Sequence, residues 1–243
     1  MKKHIRLFFV ESVDPMDLLQ GRTESRALAE ICKIIGHEAY VLTAYSKSDF
    51  KKICGYISSI NSVHDINHRK NIPLCIHISA HGNERGIGFG KDFLEWDDVM
   101  MSMNPIFSEM KDYDGKVVLT ISACGASDQC LTQLIQEKYD ESDDFVPPEY
   151  LFVTTGENVA WDDALVSWAM FYHQLPRANL DTKSSVQRIL DKIKGSGTGN
   201  LTYFRWDREE GKYFFYSGKE PVKCLTRKKK DVAKNAADLI GGK

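Results

Sequence analysis

The chain has 243 residues, 32 basic and 34 acidic side chains, a formal net charge of −2, and 42% hydrophobic residues. So even a balance offers no global attraction to nucleic acid or an anionic membrane, while the length allows a core that buries roughly 70–75% of the unfolded surface. No run approaches the ~18 apolar residues of a membrane span, the charged start followed by a brief, interrupted apolar run is too little for a secretory signal, and the six scattered cysteines (Cys32, Cys54, Cys75, Cys124, Cys130 and Cys224) read as free thiols in a reducing cytosol.

In chain order, an apolar run at 5–10 predicts a first strand, and Asp14-Pro15 with Gly21 marks a loop after it. Thr23 then suits an N-cap for a helix with Leu28, Ile31, Cys32 and Ile35 on one face and Gly36 as its stop. A second strand is expected at 39–44. Ser48 opens a helix carrying Phe50, Ile53, Cys54 and Ile57 on one side. The run Leu74-Cys75-Ile76-His77-Ile78-Ser79-Ala80 predicts a third strand and delivers His81-Gly82; Val117-Val118-Leu119-Thr120-Ile121-Ser122-Ala123 predicts a fourth and delivers Cys124-Gly125. Short β-branched runs of this kind suit strands buried on both faces. Ser127 can cap a helix with Leu131, Leu134 and Ile135, and an acidic, proline-containing stretch at 140–149 leads to a fifth strand at 151–155.

A helix at 161–172, another opening at Ser184 or Ser185, and an aromatic hairpin built from 201–206 and 213–216 complete the pattern. Alternating strands and helices predict an α/β fold with a mostly parallel sheet and right-handed crossovers. Residues 1–217 are expected to form one domain and 218–243 a basic tail with eight basic and three acidic residues.

If the third and fourth strands are parallel neighbours, His81 and Cys124 emerge side by side at the carboxyl edge, where open α/β sheets place ligands. A free thiol is only a few per cent thiolate at neutral pH, and an imidazole or a helix N-terminus can activate it. His81 offers the first and the helix expected from Ser127 the second. The backbone N–H groups of Gly82 and Cys124 are candidate oxyanion-hole donors. The plainer alternative is a loop histidine beside a buried thiol. His77, four residues before His81, is expected to be a strand histidine with a hydrogen-bond partner, because no metal-ligand spacing accompanies it. No metal or other cofactor is expected. Gly86 to Gly90 lacks the full glycine fingerprint and the Walker lysine, which leaves a hairpin as the better reading.

Ile78-Ser79-Ala80-His81-Gly82 and Ile121-Ser122-Ala123-Cys124-Gly125, separated by 43 positions from histidine to cysteine, resemble the catalytic segments of the caspase-like cysteine peptidase clan, and within it the bacterial-type CHAT branch related to separases. Ser122 stands where the caspase signature has Gln. The resemblance implies a caspase-like three-layer α/β/α sandwich with a C-terminal β-hairpin, a cysteine endopeptidase without cofactor, a protein or peptide substrate, and a regulated setting of the bacterial defence or cell-death type with a possible activating partner protein. By the same resemblance, Asp162 and Asp163, in Ala160-Trp161-Asp162-Asp163-Ala164, are substrate-binding candidates for a basic P1 side chain. Gly21-Arg22-Thr23 resembles instead a caspase segment that binds a P1 aspartate, and the two implications oppose each other. The bland alternative for both aspartates is an acidic first helical turn favoured by the macrodipole. A catalytically silent caspase-like module that binds a partner is the remaining alternative.

Overall fold

The computed structural model describes residues 5–62, 72–110, 113, 115–126, 131–156 and 159–215, with only the backbone of 61 and 62. The expected helix start at Ser127, the thiols Cys130 and Cys224, and the basic tail lie outside the described residues.

Among the described residues, ten strands and eight α-helices follow one another as β1 (Arg6–Glu11), α1 (Pro15–Leu19), α2 (Glu24–Ile34), β2 (Glu38–Thr43), α3 (Lys47–Ser58), β3 (Leu74–Ser79), β4 (Gly82–Asn83), β5 (Gly86–Phe89), β6 (Asp92–Glu95), α4 (Trp96–Ser102), α5 (Asn104–Glu109), β7 (Val117–Ser122), α6 (Leu131–Glu141), β8 (Tyr150–Thr154), α7 (Trp161–Gln174), α8 (Lys183–Gly195), β9 (Leu201–Asp207) and β10 (Lys212–Phe215). Seven strands form one sheet in the order β10-β9-β8-β7-β3-β1-β2. The pairs from β8 through β7, β3 and β1 to β2 are parallel, and the terminal hairpin β9–β10 adds antiparallel to β8.

Alternating side chains of these strands serve two cores, as the period of two requires. Leu7, Phe9, Cys75, Val118 and Phe152 join Leu28 and Cys32 of α2, Trp168 and Phe171 of α7, and Ile189 of α8 on one face. Phe8, Val10, Ile76, Ile78, Ile121 and Val153 join residues of α3, α4, α5 and α6 on the other. The result is a three-layer α/β/α sandwich. Right-handed crossovers explain the division: the chain steps outward from β1 to β2 through α2, then back across β1 to β3 through α3, so the two helices must lie on opposite faces. The reversal makes the carboxyl end between β1 and β3 a topological switch point, a crevice suited to ligands.

Two departures from the sequence pattern bear on the site. Residues 15–19 form a short helix where the sequence pattern predicts a loop; Asp14 caps it by accepting from the Met16 N–H at 2.8 Å, and Pro15 occupies its first turn. None of its residues is buried, which is why no apolar period announces it. The glycine-containing stretch after His81 is a three-stranded antiparallel sheet, β4-β5-β6, rather than a simple hairpin.

Candidate active site

The strands β3 and β7 pair in register, with Ser79 opposite Ser122, and Ala80 N donates to Ser122 O at 3.2 Å. Two residues beyond that pair, His81 and Cys124 leave the same sheet edge from adjoining strands. The glycines that follow them let their turns meet. A Cβ on Gly82 would sit 2.9 Å from the Cys124 carbonyl oxygen and 3.1 Å from Ala123 Cβ. Gly125 has φ +72°, and a Cβ there would run into the backbone of Asn83 and Glu84. A side chain at either position would push the histidine turn and the cysteine turn apart.

The connection from β8 to α7 touches both residues. Val159 N donates to Cys124 Sγ at 3.4 Å, and the Trp161 ring meets the His81 ring edge-on at 5.4 Å between centroids. The side chain of His81 is 57% exposed, and Cys124 is half-buried. No hydrogen bond joins His81 to Cys124 among the described residues. Instead, His81 Nε2 lies 2.9 Å from Oδ2 of Asp17 in α1.

Beneath this edge lies a carboxylate that no local pattern announced. Glu24, in the first turn of α2, is buried, and its Oε2 accepts from both Ser79 Oγ and Ser122 Oγ at 3.0 Å. Its Oε1 lies 3.2 Å from His77 Nε2, while His77 Nδ1 is 2.9 Å from Thr120 Oγ1 and 2.8 Å from the Tyr172 hydroxyl. One carboxylate oxygen thus ties the two strands together two residues before the histidine and the cysteine. His77 is the hydrogen-bonded strand histidine that its sequence context suggests. Ser122 is occupied by this internal bond and is not among the residues lining the cleft described next.

That cleft, of about 140 Å³, is lined among others by Thr154, Val159, Asp163, Ser167 and Thr198. It adjoins the cysteine through two of these residues: Val159 reaches the sulfur, and Thr154 Oγ1 both donates to Ala123 O at 2.9 Å and accepts from Ala123 N at 3.2 Å. Asp163 contributes the only carboxylate in the lining among the described residues. Asp162 is exposed and accepts through Oδ1 from the Asp163 N–H at 3.1 Å, the first-turn arrangement that a helix N-terminus favours. Arg22 is not among the residues lining the cleft; it is 60% exposed, with Nη1 3.7 Å from Asp17 Oδ1.

The thiols divide sharply by environment. Burial pushes Cys32, Cys54 and Cys75 each up to about 12, far above neutrality and therefore unreactive as nucleophiles. Cys124 is the only half-buried thiol among the described residues. No group of three or more metal-ligating side chains occurs among the described residues, and no described helix is long and apolar enough to cross a membrane.

No family model and no curated protein matches the chain. Solved structures similar to the chain include two caspases. The crystal structure of drICE aligns at a TM-score of 0.46 with 13% identity over 83% of this chain and 87% of that one; caspase-1 from Spodoptera frugiperda aligns at 0.42 with 12% identity over 74% and 79%. Likeness at that level decides nothing about a reaction.

Proposed function

We propose that the chain is a cysteine endopeptidase with Cys124 as nucleophile and His81 as general base and acid. One observation carries the reading: the turns bearing the two residues pack against each other through Gly82 and Gly125, and Val159, which donates to the sulfur, also lines a neighbouring cleft. The imidazole takes the S–H proton as Sγ attacks the scissile carbonyl carbon, and the N–H groups of Gly82 and Cys124 are the donors offered to the oxyanion. Such a donor typically contributes ~2.7–4 kcal/mol to the transition state. Collapse breaks the C–N bond, His81 returns the proton to the leaving amine, and water hydrolyses the thioacyl-enzyme.

Asp163 in the cleft supports a basic P1 side chain, since a desolvated carboxylate left unpaired by a neutral or acidic side chain costs several kcal/mol. Arg22, salt-bridged to Asp17 away from that cleft, lends the opposite specificity less support. Membership of the CHAT branch, a single partner-protein substrate, an activating partner, a cytoplasmic location and a defence-type pathway rest on the resemblance of the two segments alone.

A second reading, a catalytically silent partner-binding module, draws support from the absence of a His81–Cys124 hydrogen bond. That bond is often loose before substrate arrives. A panel of fluorogenic peptides varied at P1, run on wild type and Cys124→Ala, separates the two. Cleavage after Arg or Lys that vanishes in the variant supports the peptidase; no cleavage of any peptide by wild type, or equal cleavage by both proteins, removes it.

A further inference from the structure

Resting on the peptidase reading above, we infer that Asp17 is the positioning residue of His81, fixing which ring nitrogen acts on Cys124. A neutral imidazole carries one N–H. With Nε2 at 2.9 Å from Asp17 Oδ2, the N–H belongs on Nε2, because the carboxylate can only accept. The lone pair is then on Nδ1, which is the nitrogen left to take the cysteine proton. Trp161, edge-on to the ring, restrains it from another side.

The carboxylate is itself held. Its side chain is 15% exposed while that of His81 is 57% exposed, so the acid is the sheltered partner. Asp14 caps α1, the Arg22 N–H donates to the Asp17 carbonyl at 2.8 Å, and the Arg22 guanidinium lies 3.7 Å from Oδ1. Each carboxylate oxygen thus has its own partner, Oδ2 the histidine and Oδ1 the arginine. When the ring becomes imidazolium, the Asp17 carboxylate against Nε2 stabilises the new charge through a charge-assisted bond. Arg22 accordingly acts on the histidine through Asp17, a role different from gripping substrate. Asp17 touches neither substrate nor sulfur and acts only through His81. The bland alternative is an exposed ion pair of little consequence, which would leave the ring's tautomer and the cysteine's reactivity indifferent to its loss.

The test needs no substrate. Protein labelled with ¹⁵N-histidine is examined at about pH 8, where an ordinary imidazole is neutral, by long-range ¹H–¹⁵N correlation, and iodoacetamide alkylation of Cys124 is timed by peptide mass mapping. Wild type should carry its His81 proton on Nε2. Asp17→Ala should mix the tautomers and slow alkylation roughly tenfold, and Asp17→Asn, which keeps an acceptor without the charge, should retain the tautomer with a smaller loss. In a His81→Ala background, removing Asp17 should change the rate no further. A wild-type proton on Nδ1, or a tautomer unmoved in Asp17→Ala, overturns the assignment, as does an equal rate loss with and without His81. If Cys124 reacts like an ordinary exposed thiol in both wild type and His81→Ala, the peptidase reading fails, and the tautomer still decides the part played by Asp17.

Discussion

Glu24→Ala should destabilise the protein by about 4 kcal/mol, because it strands three buried donors at once. Ser79 Oγ, Ser122 Oγ and His77 Nε2 converge on this one carboxylate, and all four residues are buried. Leaving a buried donor unpaired costs ~1–3 kcal/mol; both serine hydroxyls can rotate toward other acceptors, so the sum falls near the ~3–5 kcal/mol typical of breaking a buried charged pair. With a urea m-value of about 2–3 kcal/mol/M, the midpoint should drop by roughly 1–2 M, a large part of a total stability of ~5–15 kcal/mol. Glu24→Gln should be much milder, about 1 kcal/mol. Its amide oxygen can accept from both serines, and its NH₂ can face His77 if the imidazole moves its proton to Nδ1, where Thr120 or Tyr172 can accept. Urea unfolding followed by tryptophan fluorescence measures both variants. A midpoint within about 0.3 M of wild type for Glu24→Ala, on the same m-value scale, would refute the claim that this carboxylate holds the two strands together.

Glu11, buried at the end of β1, has its carboxyl pushed above 4.5, first by desolvation, against hydrogen bonds from the Ser25 and Glu24 backbone. The native state therefore keeps a proton that the unfolded chain has released, so stability falls as pH rises through that window; Glu11→Gln should raise the urea midpoint at neutral pH, with the gain disappearing below pH 4.5, and an unchanged midpoint at neutral pH would contradict this. Within the cleft, Asp163→Ala should reduce kcat/KM for an Arg reporter by orders of magnitude, while Asp162→Ala, whose exposed carboxylate only accepts from the Asp163 N–H in the first turn of its own helix, should stay within a few-fold. Equal losses in both variants, or no loss in Asp163→Ala, would argue against Asp163 as the P1 partner.

The pattern of residues carried the α/β architecture far because its signals are local. The runs ending at His81 and Cys124 are buried on both faces, as strands covered by helices on two sides must be, and β3 and β7 occupy positions 74–79 and 117–122. The aromatic hairpin at the end of the chain joins the sheet antiparallel to its fifth parallel strand, β8, as its two aromatic runs suggested. Asp17 and Glu24 were not legible because what matters about them is distant in sequence. Asp17 meets His81 across 64 positions, and Glu24 meets Ser122 across 98. Both lie on the first segment after β1, where Asp17 falls in a stretch that reads as a loop and Glu24, in a helical first turn, looks like ordinary macrodipole chemistry. The one available hint was Asp14-Pro15, which can cap a helix as readily as it can turn a loop. The paired aspartates show the same limit: sequence placed Asp162 and Asp163 together after the fifth strand, and only the three-dimensional cleft distinguishes the one that lines it.

The most direct measurement of the central claim is covalent trapping with a peptidyl-arginine acyloxymethyl ketone, followed by mass mapping of every cysteine in the folded protein. The account predicts one adduct, on Cys124, formed far more slowly in His81→Ala. It also predicts that Cys32, Cys54 and Cys75, whose burial pushes each thiol up to about 12, remain unmodified. Labelling spread over other cysteines with Cys124 untouched, or Cys124 labelled equally fast without His81, would contradict it.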